Sequence, residues 1–168
     1  MPPPKPAGSG PKTVFAHYMM CFHAFGQNQT TCGRCEEGPT CQYANAGYVD
    51  GYVQEISHGA RYGLDGFALE WLGGEPTYRE SFDRIFAACE QWNANKPAWA
   101  TSNFSLIPII DNGDWAGMAS QVALHINSSC MYRVGGRPFI SSWGFSGLQW
   151  SNATQVKEHI EDYSKVFV

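Results

Sequence analysis

Two acidic residues of this chain lie in or after apolar segments and could take part in acid–base chemistry. Glu70 lies between Leu69 and Trp71, and Asp111 ends the apolar run that starts at Ser105. A carboxylate among such neighbours is costly to desolvate unless it is paired, so we expect Glu70 to be exposed in a cleft or to have a shifted pKa. Two carboxyl groups across a cleft can act as a general acid and a general base. We therefore predict Glu70 and Asp111 as catalytic residues; the alternatives are substrate binding, helix capping or pairing with an arginine.

Histidine and aromatic side chains lie at the ends of similar apolar segments. The chain has six Trp, eight Tyr and ten Phe, more than a core of this size needs, and exposed rings stack on sugars or on bases. A net charge of −4 without a basic cluster argues against nucleic acid and against an anionic membrane surface as partners. A polysaccharide is the expected partner. Five residues are predicted to bind it: His17, Tyr18, Trp71, Glu75 and Trp143. Core packing is the alternative for all of them except Glu75.

The apolar pattern that must position these residues alternates between β-favouring runs and helical periodicity. Residues 1–12 are rich in Pro, Gly and Lys and are predicted to be a disordered linker, and residues 21–47 form a Cys-rich loop. Strands are predicted at 13–20, 67–72, 105–111 and 137–143, with the start of a fifth at 166–168. Helices are predicted at 48–62 with Gly63 as the cap, from about Thr77 to Trp92, at 115–126 and at 156–163.

Apolar strands that alternate with helices indicate an α/β fold, in which parallel βα repeats build a helix-covered sheet. One architecture is the first half of a (βα)8 TIM-type barrel, which at full size takes about 250 residues. The alternative is a doubly wound α/β sheet, which would be complete at 168 residues. The first βα turn lacks a Gly-x-Gly-x-x-Gly motif and a phosphate loop, so no nucleotide cofactor is expected. Residues 13–168 are predicted to form one domain, a partial (βα)8 domain of the catalytic type.

Four segments, in this order, resemble glycoside hydrolase family 71, the endo-α-1,3-glucanases or mutanases. They are FAHYM at 15–19, GLDGFAL at 63–69, the strand that ends in Asp111, and GRPFISSW at 136–143. The similarity runs from about Val14 to Val168. It implies a (βα)8 barrel that hydrolyses α-1,3-glucan or a related cell-wall polysaccharide, and a chain that holds the first four βα units with the start of strand five.

The sequence also departs from the family's pattern at some positions. Members carry a Trp-Asn-Asp-Tyr-Gly-Glu-like segment on a later strand, whose Asp and Glu are taken as the catalytic pair, and this chain has no match to it. Glu70 stands where many members have Asn, and either Glu70 or Glu75 could be the acidic residue that the family often shows after strand two. The chain is thus predicted to be an incomplete O-glycosyl hydrolase. The alternative is a non-catalytic, secreted carbohydrate-binding half barrel that self-associates through open sheet edges.

Asparagine and cysteine usage bears on the compartment. Chance would supply about one Asn-x-Ser/Thr triplet in this composition. The chain contains four, at Asn28, Asn103, Asn127 and Asn152. Six Cys also favour an oxidising, extracellular location, although no signal peptide is visible and no apolar run is long enough to cross a bilayer.

The cysteines themselves have three possible fates. Disulfides are preferred, and sequence alone leaves their connectivity open among fifteen pairings. Cys89 is predicted to be an inert buried thiol or the disulfide partner of Cys130 or Cys21. One alternative is a zinc site built from Cys32, Cys35, Cys41 and His23, and another is free thiols. Because disulfides are preferred, no metal is expected.

Overall fold

The computed structural model describes residues 13–19, 49–71, 76–110 and 115–142. Within these ranges the strands are β1 (Phe15–Met19), β2 (Gly66–Trp71), β3 (Ser105–Ile110), β4 (Arg133–Val134), β5 (Arg137–Pro138) and β6 (Ser141–Ser142). The helices are α1 (Val49–Arg61), α2 (Pro76–Asn95) and α3 (Trp115–His125). Strand and helix alternate, which confirms the predicted α/β class. The predicted linker, the Cys-rich loop, the last predicted helix and the start of the fifth strand lie outside the described residues.

Four strands form a parallel sheet in the order β1-β2-β3-β6. Met19 is the register partner of Glu70, and Glu70 is the partner of Ile109. Register partners share a face of the sheet, and successive residues of a strand alternate between faces. One face, called the His17 face below, carries His17, Met19, Ala68, Glu70, Ile107 and Ile109. The opposite face, called the helix face, carries Tyr18, Phe67, Leu69, Trp71 and Leu106.

The helices pack on the helix face and form the core with it. A Cβ built on Gly59 of α1 would lie 3.2 Å from the Phe67 ring, and Trp71 meets Phe82 of α2 edge-on with 5.7 Å between ring centroids. Burying apolar area of this kind is the main driving force for folding. The largest fully buried side chains include Ile56, Leu69, Trp71, Phe82, Ile85, Phe86, Phe104, Leu106 and Met118.

Gly63 ends α1 as the sequence predicts. Its φ is 89°, a left-handed conformation that glycine adopts without strain. The amide of Leu64 donates to the carbonyl of Gly59 at 3.0 Å, and the amide of Gly63 donates to the carbonyl of Ala60 at 3.0 Å. These two bonds are the Schellman pattern, and they turn the chain directly into β2.

Pro108 lies inside β3, where a missing backbone donor would normally interrupt a sheet. The amide of Leu106 donates outward to the carbonyl of Cys130 at 2.7 Å, on the side away from β2. Because alternate residues of a strand direct their amides to the same side, the nitrogen of Pro108 also points outward. On that side β6 pairs with β3 only at Ile109 and Ile110, so the proline costs the ladder with β2 no hydrogen bond.

The predicted fourth strand at 137–143 is divided into two parts, which corrects that expectation. Arg137–Pro138 pairs antiparallel with Arg133–Val134, and only Ser141–Ser142 joins the parallel sheet. The physical cause is the pair Gly135 and Gly136, with φ of 59° and 81°. Two successive left-handed residues favour a tight hairpin turn, so the first part of the apolar run folds back locally.

A disulfide joins Cys89 of α2 to Cys130 in the segment that follows α3. This confirms one of the two pairings predicted for Cys89. Asn93 stabilises the same region: its Oδ1 accepts from the amide of Phe104 at 2.8 Å, and its Nδ2 donates to the carbonyl of Phe104 at 3.0 Å. The carboxyl half of α2 is thus joined to the chain that enters β3.

Candidate functional site

The carboxyl ends of β1 and β2 bring His17 and Glu70 together on the His17 face. Nε2 of His17 lies 3.9 Å from Oε1 of Glu70. The His17 side chain is 30% exposed, whereas the Glu70 side chain is 4% exposed. A half-exposed imidazole therefore stands next to a nearly buried carboxylate. These two residues define the candidate site.

The separation between the two groups determines how they interact. At 3.9 Å the atoms are too far apart for a direct hydrogen bond, so the attraction is electrostatic and requires a protonated imidazole. Glu70 is not exposed in a cleft within the described part of the chain, contrary to the first of the two expectations for it. The arrangement leaves the imidazole of His17 as the more accessible of the two, able to donate to or accept from a sugar hydroxyl.

Tyr18 and Trp71, predicted to bind substrate, are on the helix face. Trp71 is fully buried against Phe82, and Tyr18 is buried and stacks on Phe67 with 4.6 Å between ring centroids. A buried ring offers no face to a sugar. The described geometry thus gives both residues the core-packing role that the sequence left as the alternative, and separates them from His17.

Tyr18 has a polar partner inside the core. Its hydroxyl donates to Oε2 of Glu55 on α1, and both side chains are buried. Burial, and then the charge of Glu55, holds the pKa of Tyr18 well above its ordinary value. Burial likewise raises the pKa of Tyr52, one turn before Glu55 on the helix, to about 12. The sequence did not predict this contact between Tyr18 and Glu55, because Glu55 has the pattern of an ordinary polar residue on an amphipathic helix.

Three predicted site residues lie outside the described residues: Glu75, Asp111 and Trp143. Two of them directly follow described strand residues. Asp111 comes after Ile110, the register partner of Trp71, and Trp143 comes after Ser142, which pairs with Ile110.

Aromatic rings occupy the other end of the His17 face. A Cβ built on Gly66 would lie 2.3 Å from Cε1 of Phe15, so the Phe15 ring passes directly over the glycine. The same ring meets Tyr132 edge-on at 4.8 Å, and Tyr132 meets Phe139 at 6.1 Å. This packing fills the amino end of the face and leaves the polar residues, His17 and Glu70, toward its carboxyl end.

Met19 is a candidate contact residue that sequence reasoning missed. It lies on the same face as His17, is 36% exposed and is the register partner of Glu70. The sequence does contain the signal for Met19, because residues that are two positions apart in a strand lie on the same face of the sheet. An exposed, flexible thioether beside the imidazole would add an apolar contact for a ring.

The described residues contain neither a metal-binding cluster nor a helix suited to crossing a membrane. Among the described residues no group of three or more His, Cys, Asp or Glu side chains is arranged to hold a metal ion. The predicted zinc ligands lie in the Cys-rich loop, outside the described residues. No helix in the described part of the chain combines the length and apolar character that a membrane crossing requires.

Comparison of the chain with models of protein families, with characterised proteins and with solved structures found no match. The resemblance to glycoside hydrolase family 71 therefore stays a prediction.

Proposed function

We propose that the chain is part of an α-1,3-glucanase-like glycoside hydrolase, with its polysaccharide site at the carboxyl edge of the parallel sheet. The observation that carries the proposal is the pairing of His17 and Glu70 on one face at that edge, 3.9 Å apart. Parallel α/β folds bind their ligands at the carboxyl ends of the strands. His17 and Glu70 therefore lie where a parallel α/β fold is expected to bind its ligand.

The strand order favours a (βα)8 barrel over the doubly wound alternative. The sheet order β1-β2-β3-β6 follows the chain without the reversal that defines a doubly wound sheet. We propose that these strands are the first four of a barrel and that the His17 face is its inner surface.

Among the described strands of the parallel sheet, β1 has one neighbour, so its other edge is the proposed surface for self-association. Sedimentation analysis at several protein concentrations would reveal this self-association or rule it out.

The proposed mechanism assigns the two acids complementary roles. One carboxylic acid protonates the leaving oxygen, and the other carboxylate activates water or attacks the sugar. Glu70 and Asp111 are the proposed pair, with His17 donating to a sugar hydroxyl and with Glu75 and Trp143 as further substrate contacts. Tyr18 and Trp71 are left out because both are buried on the helix face.

The burial of Glu70 favours the second candidate, a carbohydrate-binding half barrel without catalysis. A general acid must come within hydrogen-bond reach of the glycosidic oxygen. Only 4% of the Glu70 side chain is exposed, whereas 30% of the His17 side chain is exposed. In this candidate His17 contacts the sugar, and the carboxylate of Glu70 places a negative charge 3.9 Å from Nε2 of the imidazole.

Release of reducing sugar from α-1,3-glucan distinguishes the two candidates. For a hydrolase, we expect Glu70→Gln and Asp111→Asn each to lower the rate by about 10²-fold or more, since removing a general acid or base has that effect, while polysaccharide binding is retained. Binding without any release of sugar by the unaltered chain would support the binding module instead.

Glu80→Gln is the matched control for Glu70→Gln. Glu80 is an exposed carboxylate on α2 that pairs with Arg84 at 3.1 Å, so the same change of charge is made far from the His17 face. Its variant should release sugar at the unaltered rate. Equal losses in the Glu80 and Glu70 variants would overturn the assignment of Glu70 to the site, and absence of both binding and release would overturn the proposed function.

A further inference from the structure

Four asparagines lie in the described part of the chain, and they divide into two groups. Asn93 and Asn95 each use Nδ2 as a donor, to the carbonyl of Phe104 at 3.0 Å and to the carbonyl of Gln91 at 2.9 Å. Neither is followed by Ser or Thr two residues later. Their amide nitrogens are engaged in the structure of the protein itself.

The other two, Asn103 and Asn127, both belong to Asn-x-Ser triplets, and both are exposed. Oδ1 of Asn103 accepts a hydrogen bond from Nζ of Lys96. Within the described part of the chain, no hydrogen bond involves Nδ2 of either residue. The nitrogen that would carry a sugar is therefore available at the two triplets and engaged at the two asparagines outside them.

Both triplets lie at the same end of the sheet. Asn103 precedes Ser105, the first residue of β3, by two positions. Asn127 follows the end of α3 by two residues, in the segment where Cys130 and Tyr132 bond to Leu106 near the start of β3. This is the amino end of the strands, opposite to the edge that carries Glu70.

We propose that Asn103 and Asn127 each carry an N-linked glycan, and that both glycans project from the amino end of the sheet. In the transfer, Nδ2 bonds to the anomeric carbon of a lipid-pyrophosphate-linked oligosaccharide, the bond from that carbon to the phosphate oxygen breaks, the lipid pyrophosphate leaves, and the amide proton goes to a base of the transferase. Oδ1 of Asn103 keeps its bond with Lys96, because the sugar is attached to the nitrogen. The glycans leave the carboxyl edge of the sheet uncovered.

The proposal rests on passage through the secretory pathway, not on glucan activity. The buried disulfide between Cys89 and Cys130 is compatible with that compartment. The test is to direct the full chain through the secretory pathway of a eukaryotic cell with an added leader. The secreted protein is then deglycosylated with peptide N-glycosidase in heavy-oxygen water, which converts each glycosylated Asn to labelled Asp.

Peptide mass spectrometry should find the label at Asn103 and Asn127. Ser129→Ala should abolish the label at Asn127, whereas the matched control Ser128→Ala, which keeps the triplet intact, should retain it. Asn95→Gln should leave the labelling of both sites unchanged. Secreted protein in which Asn103 and Asn127 are unlabelled would overturn the proposal, and label at Asn127 in Ser129→Ala would show that the modification does not depend on the triplet.

Discussion

At the scale of single residues, β2 gives two consecutive side chains opposite environments. Glu70 lies 3.9 Å from the imidazole of His17 on one face, and Trp71 packs against Phe82 on the other. The sequence pattern located this strand but not its orientation, because a strand that is apolar on both faces does not indicate which face the helices cover. That ambiguity is why a buried indole was included among the sugar-binding candidates.

Burial of tyrosine hydroxyls predicts a loss of stability at high pH. The pKa of Tyr52 rises from 10.0 to about 12 on folding, because burial disfavours the phenolate. Above about pH 10 the unfolded chain loses this proton and the folded chain keeps it, so the unfolded state becomes relatively more stable. Tyr52 alone should lower the free energy of unfolding by about 1.4 kcal/mol between about pH 9 and about pH 11.

Urea unfolding across that pH range measures the effect. Tyr52→Phe should flatten the decline, and Tyr62→Phe, which alters a ring that is 84% exposed, is the matched control that should leave it unchanged. Tyr18, whose pKa is also raised by burial, contributes a decline of its own that likewise begins at about pH 10. An identical pH dependence in all three proteins would contradict the burial of Tyr52.

Gly66 is predicted to tolerate no side chain. A Cβ there would lie 2.1 Å from the carbonyl oxygen of Ser105 and 2.3 Å from the Phe15 ring. Gly66→Ala should therefore destabilise the protein by about 1–3 kcal/mol, the usual cost of overpacking, as measured by chemical unfolding. Phe15→Ala should fail to rescue it, because the clash with the backbone oxygen remains. Full rescue would show that the ring alone limits the site.

At the scale of elements, sequence periodicity predicted each helix in the described region to within one or two residues at its start. Helix α1 spans Val49–Arg61, close to the predicted 48–62, and Gly63 ends it as the sequence predicts. The hairpin at 133–138 was not predicted, because its flanking strands have only two residues each and carry no periodicity. The face of the sheet occupied by each candidate depends on strand pairing, which is a long-range property that local patterns do not encode.

The disulfide between Cys89 and Cys130 links two elements and is expected to raise the free energy of unfolding. It joins positions 41 residues apart and so restricts the unfolded chain strongly. Replacing both Cys89 and Cys130 by Ala should lower the free energy of unfolding by about 3–4 kcal/mol, as measured by urea unfolding under oxidising conditions. Replacing both avoids an unpaired thiol. A non-reducing digest in which the two cysteines are unlinked would contradict the account before any unfolding measurement is made.

At the scale of the whole molecule, the parallel sheet separates two kinds of surface. Its helix face is covered by α1, α2 and α3 and holds the apolar core. Its His17 face carries polar residues at the carboxyl edge and an aromatic cluster at the amino end. The polar residues are the reason for assigning binding to the carboxyl edge, whereas the positions of Asn103 and Asn127 assign the proposed glycans to the amino end.

We propose that the carboxyl edge around His17 binds an α-1,3-linked glucan. Isothermal titration with soluble α-1,3-linked gluco-oligosaccharides tests it directly, with His58→Ala, an exposed histidine on α1, as the control for His17→Ala. We expect the unaltered chain and the control to bind alike and His17→Ala to lose affinity by about tenfold, equivalent to about 1.4 kcal/mol. Equal affinity of all three proteins, or no binding by any of them, would contradict the claim.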